Sequence, residues 1–333
     1  VTGGDVGFAE AYADGDWSTP DLRALFDLAL QNEAALTRTT DGWWVTRALR
    51  RLYHRQRANS RRGSRWNIAA HYDLGNDFYA KWLDRGMNYS SALYESDVQT
   101  IEQAQAAKLT RVVELLEIEG GERVLEIGCG WGGMADRLVR DHACLLTGVT
   151  LSIEQLSYAR RRLADAEGRA DLRLQDYRDI EGRFDRIVSI EMMEAVGEEY
   201  WALYFDTLRE RLRDGGIAVL QIITIAEERF AAYRARPDFI QRHIFPGGML
   251  PTDDIIRSEA ARAGLKLVAH ESFGQSYART LQEWRLRFLQ SWPQLERMGF
   301  DRRFRRLWEY YLIYCEAGFR SGATCVAFYK LQK

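Results

Sequence analysis

The sequence is poor in the features that would make it a secreted, metal-bound or membrane-spanning protein. Its four cysteines, Cys129, Cys144, Cys315 and Cys325, form no CxxC pair and share no repeated spacing. That argues against a disulfide framework and a zinc site and suits a reducing cytoplasm. Five scattered histidines supply no HExxH, so no metal ligand set is expected. No window approaches the ~18 consecutive apolar residues of a membrane span. No basic n-region and apolar h-region follow Val1, so no secretory signal is visible. Val1 is not an initiator Met, and a trimmed chain is expected. The formal net charge is only −2, which demands no polyanionic partner. Internal repeats and low-complexity tracts are missing as well. What is present, 333 residues with 46% hydrophobic content, suffices for one sizeable core and a second, smaller module.

Residues 5–40 read as short amphipathic helices. Within them DWSTPDLRALFDLAL carries a helix start, with Ser18 or Thr19 as cap and Pro20 and Asp21 in the first turn. Eight arginines and His54 then crowd between Arg47 and Arg65, which reads as a basic linker. The expected division is a helical N-terminal module with linker over 1–60 and a larger α/β domain over 61–333. A helix is expected from Thr100 to about Leu116. From Glu122, strands alternate with glycine-rich turns and helices: RVLEIGCG, CLLTGVTLS, ADLRLQDY, FDRIVSIEM and GIAVLQIITI. This spacing predicts an α/β fold with a doubly wound, mostly parallel sheet. A helical excursion over 227–250 breaks the alternation. Helix 253–264 and the strand LKLVAHESF resume it. Residues 277–320 read as helical, and TCVAFYKLQ is expected to close the sheet as an edge strand.

The stretch VLEIGCGWGG (124–133) asks what its glycines hold. Gly128-x-Gly130-x-Gly132 is neither the GxGxxG of dinucleotide binders nor a P-loop, since no Lys follows to meet a phosphate. A dinucleotide site also needs an acid after the second strand, where TGVTLS ends in Thr150. The acid stands inside the first strand instead, as Glu126, and suits an ammonium near the loop. That points to S-adenosylmethionine, whose methionine end carries an ammonium and a sulfonium. A bare strand-to-helix turn is the alternative. LQDYRDI adds an Asp and an aromatic at a strand end, able to hydrogen-bond and stack on an adenine. Cys129 reads as a small packing residue.

Taken in order, AAHYDLGNDFYAKWLD, YSSALY, VLEIGCGWGG, GVTLSIEQ, QDYRD followed by FDRIVSIEMMEAVG, HIFPGGMLP and SFGQSYARTLQEW resemble the cyclopropane fatty-acid synthase family over nearly the whole chain. The resemblance implies a class I S-adenosylmethionine-dependent methyltransferase fold with helical insertions covering an acyl pocket. It also implies a set of site residues. Tyr89 and Ser90 would touch the cofactor, and Gly128, Gly130 and Gly132 would form its loop. Thr150, Leu151 and Gln155 would hold the ribose and adenosine side, with Asp176 and Tyr177 by the adenine. Many family members bind a bicarbonate ion as base through a Cys, a Glu, a His, a backbone amide and a Tyr. Here Glu194 matches the Glu, Ile223 the amide and Tyr277 the Tyr, while Ser91 stands at the Cys position and Gln221 at the His position. Ser and Gln still donate hydrogen bonds to an oxyanion, but neither supplies a cationic imidazolium. Ala195 also stands where some bacterial synthases carry His.

The resemblance implies methyl transfer to the double bond of unsaturated acyl chains of membrane phospholipids. A carbocation follows, and deprotonation closes a cyclopropane ring. An alkene is a poor nucleophile and must be held against the S-methyl in a dry slot. Aromatic faces stabilise the cation, and Tyr177 and Tyr277 are candidate wall members, whereas Trp284 reads as ordinary core. Glu194 would be the base or position the bicarbonate; from the residues alone it reads equally as a cap of the helix near Gly197. A methylene- or methyl-branched product is the alternative within this class. A small-molecule methyltransferase or a non-catalytic membrane-binding protein is the more distant one. The Arg47–Arg65 run, interleaved with Tyr53 and flanked by Trp43, Trp44 and Trp66, and RRFRRLW (302–308) are candidates for anionic headgroups at the inner membrane face. That would make the protein cytoplasmic and peripheral. Nucleic acid is not expected, because the overall balance is acidic and no recognition motif is present. A homodimer is left open.

Overall fold

The computed structural model describes residues 4–32, 74–166, 168–236 and 238–333. The Arg47–Arg65 run, its neighbouring Trp43, Trp44 and Trp66, and the 60/61 boundary lie outside the described residues.

Strand β1 (Arg123–Ile127) is buried at every position after Arg123 because it has a parallel neighbour on each side, β2 (Leu145–Thr150) and β4 (Phe184–Ile190). Its run Val124-Leu125-Glu126-Ile127 therefore lacks the polar alternation of a half-exposed strand. Strand β3 (Ala170–Leu174) lies beyond β2, and β5 (Leu212–Ile225) pairs parallel with β4. The order is β3-β2-β1-β4-β5-β7-β6, with β6 at Lys266–Ser272 and β7 at Thr324–Gln332. The last two pairings, β5 with β7 and β7 with β6, are antiparallel.

The expected edge position of TCVAFYKLQ is thus corrected. β7 slots between β5 and β6, and β6 forms the edge. Residues 325–331 carry a mostly apolar run, with Val326, Ala327, Phe328, Tyr329 and Leu331 all buried, as suits a strand covered on both faces.

Helices α1 (Gly4–Asp14) and α2 (Leu22–Gln31) precede the sheet. The α2 cap is Asp21 rather than Ser18 or Thr19: its carboxylate accepts from the Ala24 N–H at 2.9 Å, and Thr19 Oγ1 in turn accepts from the Asp21 N–H. Short α3 (Asn76–Tyr79) is followed by α4 (Ile101–Leu116), which opens with a reciprocal Thr100–Gln103 capping box. The crossover helices are α5 (Gly133–His142), α6 (Ile153–Arg162) and α7 (Trp201–Arg211). The excursion contains α8 (Glu227–Ala235) and α9 (Phe239–His243), and α10 (Asp253–Arg262) leads into β6. Long α11 (Gly274–Arg297) and α12 (Arg302–Ser321) form a hairpin before β7.

Two apolar clusters cover the faces of the sheet. A third, largely aromatic, gathers α1, α2, α3, α11 and α12 around Phe78, Trp82, Trp284, Phe288 and Trp308. Buried Glu316 of α12 ties this layer together: Arg23 of α2 meets it at 3.2 Å and Arg320 at 3.0 Å. Chain order reverses between β1 and β4, so a crevice opens beyond their carboxyl ends, where doubly wound sheets bind ligands.

Candidate active site

The β1 loop turns over the end of β2. The N–H groups of Gly128 and Cys129 both donate to the Val149 carbonyl, at 2.9 and 3.0 Å. Gly128 has φ +83°, and a Cβ there would lie 3.1 Å from Met192 Cγ, so the turn needs glycine both for its backbone and for its clearance. Gly130 faces the crevice, while Gly132 packs 3.1 Å (as a built Cβ) from Ala159 and sets α5 against α6. Glu126 is 4% exposed, lines the crevice, and leaves Oε2 without a protein partner. Burial pushes its carboxyl up to about 8, against the pull of Lys108 and Arg162. A buried acid with an open oxygen beside a bare glycine turn fits a cationic ligand.

Thr150 and Leu151 line the same crevice with Gln155. Thr150 Oγ1 donates to Gln155 Oε1 at 2.9 Å, which fixes both side chains at the end of β2. Beyond β3, Gln175 and Tyr177 reach the crevice. Asp176 accepts instead from Arg178, at 2.8 Å from Nε and 2.6 Å from Nη2, an ion pair buried on both sides. On the opposite wall Tyr89 and Tyr311 share a 2.9 Å hydroxyl contact. Ser90 Oγ accepts from Lys108 Nζ at 2.8 Å. Lys108 is 1% exposed, and burial pulls its ammonium down to about 8.

The five residues expected around an anion divide between two carboxylates. Glu194 Oε1 accepts from the Ile223 N–H, and its Oε2 has no partner among the described residues. It does not cap the helix near Gly197. The other three converge on Glu191, which sequence reasoning passed over. Glu191 Oε1 accepts from the Ser91 N–H at 2.8 Å and from Gln221 Nε2 at 2.7 Å, and Tyr277 donates to Oε2 at 2.7 Å. The Ser91 hydroxyl takes no part, since it donates to the Ala92 carbonyl. Burial raises Glu191, while the bonds from Tyr277, Ser91 and Gln221 and the charge of Lys108 pull it back. Burial, and then the charge of Glu191, push Glu194 up to about 8. The sequence signal was there: EMMEAVG offers two glutamates, and the first directly ends a strand.

The crevice and the space beyond these acids form one cavity of about 1320 Å³. Its far wall comes from α8, α9, α11 and α12 and from Asp5, Phe26 and Leu30 of the two N-terminal helices. Within RRFRRLW, three of the four arginines have partners inside the fold. Arg303 pairs with Asp14, Arg306 donates to the Tyr12 and Trp17 carbonyls, and Arg305 lies 5.5 Å from the centre of the Trp292 ring. Arg303 and Arg306 hold α1 onto α12. No described helix is long and apolar enough to cross a membrane.

Residues 59–328 match the family model of mycolic acid cyclopropane synthetase. The chain belongs to that family. It is 40% identical over 330 residues to the tuberculostearic acid methyltransferase UfaA1 of Mycobacterium tuberculosis, covering 96% of this chain and 77% of that one. It is 36% identical over 324 residues to the cyclopropane-fatty-acyl-phospholipid synthase of Escherichia coli, covering 96% and 80%. The solved mycolic acid cyclopropane synthase CmaA1, complexed with SAH and CTAB, superposes with a TM-score of 0.76 at 30% identity, over 81% of this chain and 98% of that one. The fold is accordingly that of a class I S-adenosylmethionine-dependent methyltransferase, and S-adenosylmethionine is the cofactor of this synthetase-family chain. Glu126, the Gly128–Gly130 turn, Thr150 and Tyr177 all line the cavity.

Proposed function

We propose that this protein transfers the methyl carbon of S-adenosylmethionine to the double bond of unsaturated acyl chains of membrane phospholipids and forms a cyclopropane ring. The observation that carries this is one continuous cavity in which the glycine turn and Glu126 stand at one end and an apolar chamber at the other. Buried carboxyls sit where the two meet. When bound, S-adenosylmethionine supplies an electrophilic methyl on a positively charged sulfur.

The alkene electron pair bonds the methyl carbon as the carbon–sulfur bond breaks, and the second alkene carbon becomes cationic. Loss of a proton from the added methyl lets the freed C–H pair close the ring, so one proton is released per turnover. The chain's residues supply the dry slot, aromatic walls that stabilise a cation without capturing it, and a carboxylate to take the proton. Tyr277 and Tyr311 line this junction. The substrate lies in a membrane, so the enzyme works as a peripheral protein at the lipid surface.

Incubation with S-adenosylmethionine and vesicles of defined monounsaturated phospholipids tests this. The expected result is S-adenosylhomocysteine formed only when unsaturated lipid is present, together with a lipid heavier by one CH₂ whose NMR spectrum shows ring protons. Methylation without unsaturated lipid would overturn it. A second reading is favoured by the 40% identity to a tuberculostearic acid methyltransferase. A hydride shift before proton loss leaves a methylene branch on the open chain, which the same spectra distinguish.

A further inference from the structure

We infer that the carboxylate of Glu191 is the built-in base of this site: it takes the proton from the methylated acyl cation directly, without a dissolved anion. The inference rests on the function proposed above and names the group that completes it. Glu194, expected in that role from sequence, serves beside it as a neutral carboxylic acid.

Three observations converge. The first is the backbone. Glu191 has φ +48°, one of four non-glycine residues in the left-handed region among those described. A side chain there is strained, so glycine would sit more comfortably at the end of β4. A strained non-glycine residue facing a cavity calls for a reason of its own.

The second is the donor set. Ser91 lies in the loop after α3, Gln221 on β5 and Tyr277 on α11, yet all three aim a donor at one carboxylate. That arrangement is what a fixed anion needs, and it leaves no room among these donors for a second one. Lys108 adds a cation to the same neighbourhood.

The third is the contrast with Glu194, which faces the same cavity with one amide bond and one unpartnered oxygen. Two carboxyls sharing one apolar site separate into an ionised and a protonated member. The member with three donors, Glu191, is the one that holds the charge.

The proton-transfer step balances simply. The methyl C–H pair becomes the new carbon–carbon bond, the proton goes to a Glu191 oxygen, and the cation is discharged. Water then reclaims the proton when product leaves.

Wild type and the variants Glu191→Gln and Glu191→Gly are to be assayed with monounsaturated vesicles in buffer stripped of carbon dioxide, then with added bicarbonate or formate. S-adenosylhomocysteine binding and thermal midpoint are measured in parallel. The expected wild-type rate is the same with and without bicarbonate. Both variants lose about 100-fold or more in kcat while S-adenosylhomocysteine affinity stays within about twofold. The vacated pocket of Glu191→Gly accepts small carboxylates, and its rate recovers saturably with added bicarbonate or formate. A wild type that stops without bicarbonate, or a Glu191→Gly variant that is active without rescue, would overturn the inference while leaving the proposed function standing. A folded Glu191→Gly variant that stays dead at every anion concentration would reduce Glu191 to a positioning residue and overturn it equally. A wild type inactive on every unsaturated lipid would remove both.

Discussion

The Tyr277 hydroxyl donates to Glu191 Oε2 at 2.7 Å across 86 residues of sequence, joining the start of α11 to the end of β4. A hydrogen bond to an ionised carboxylate favours the charged form, so Tyr277→Phe raises the Glu191 pKa. Activity needs Glu191 ionised and rises with pH through that value, so the acidic limb of the kcat profile moves to higher pH. The neighbours that set this limb are Tyr277 itself, Ser91, Lys108, Gln221 and the adjacent Glu194. We expect about a tenfold loss of kcat near neutral pH and unchanged S-adenosylhomocysteine affinity, measured by calorimetry and a pH–rate series. An unmoved limb would contradict the role of this bond.

Glu126 makes a prediction about stability as well as binding. Its carboxyl is raised in the folded state from 4.5 to about 8. The unfolded chain ionises first, so the stability this group contributes is complete below about pH 4.5 and is lost as pH rises toward 8. Glu126→Gln removes that loss. The variant's thermal midpoint, compared with wild type, therefore climbs between pH 5 and pH 8. Its affinity for S-adenosylhomocysteine falls about tenfold, since a charge-assisted bond to the ammonium is gone.

Gly128→Ala tests the close approach of the β1 turn. A Cβ at φ +83° and 3.1 Å from Met192 Cγ carries steric and conformational strain together. The expected destabilisation is about 1–2 kcal/mol, read by denaturant titration. Cofactor binding weakens as well, because the Met192 side chain that must give way lines the same cavity.

Trp284 is fully buried in the aromatic cluster and packs against Trp82, Tyr89 and Tyr277. Trp284→Ala is expected to cost about 3–5 kcal/mol of stability. A thermal midpoint within a degree or two of wild type would refute its place as core.

The unit from β1 to α5 is legible in sequence because its signals are local: an apolar run, a glycine turn and an amphipathic helix follow within twenty residues. The capping box at Thr100 is local in the same way. The placement of β7 is not. Its residues announce a strand, but which strands it separates depends on the α11–α12 hairpin that carries the chain back across the sheet. Glu191 escaped for the same reason. Its meaning comes from Ser91, Gln221 and Tyr277, which lie 30 to 100 residues away in sequence. The arginines of RRFRRLW were legible as charge, but only folding shows that α1 takes up two of them.

Phe26 and Leu30 on α2 line a cavity whose reacting groups come from the sheet, its loops and the α11–α12 hairpin, none of them from α1 or α2. Leu30→Trp should therefore lower the rate with longer monounsaturated chains relative to shorter ones, with cofactor affinity untouched, as competition between two lipid lengths would reveal. Chemistry and chain-length preference thus reside in separable parts of the polypeptide. A graft confined to the first thirty-odd residues would retune which lipids are accepted, with every group that handles the proton left in place.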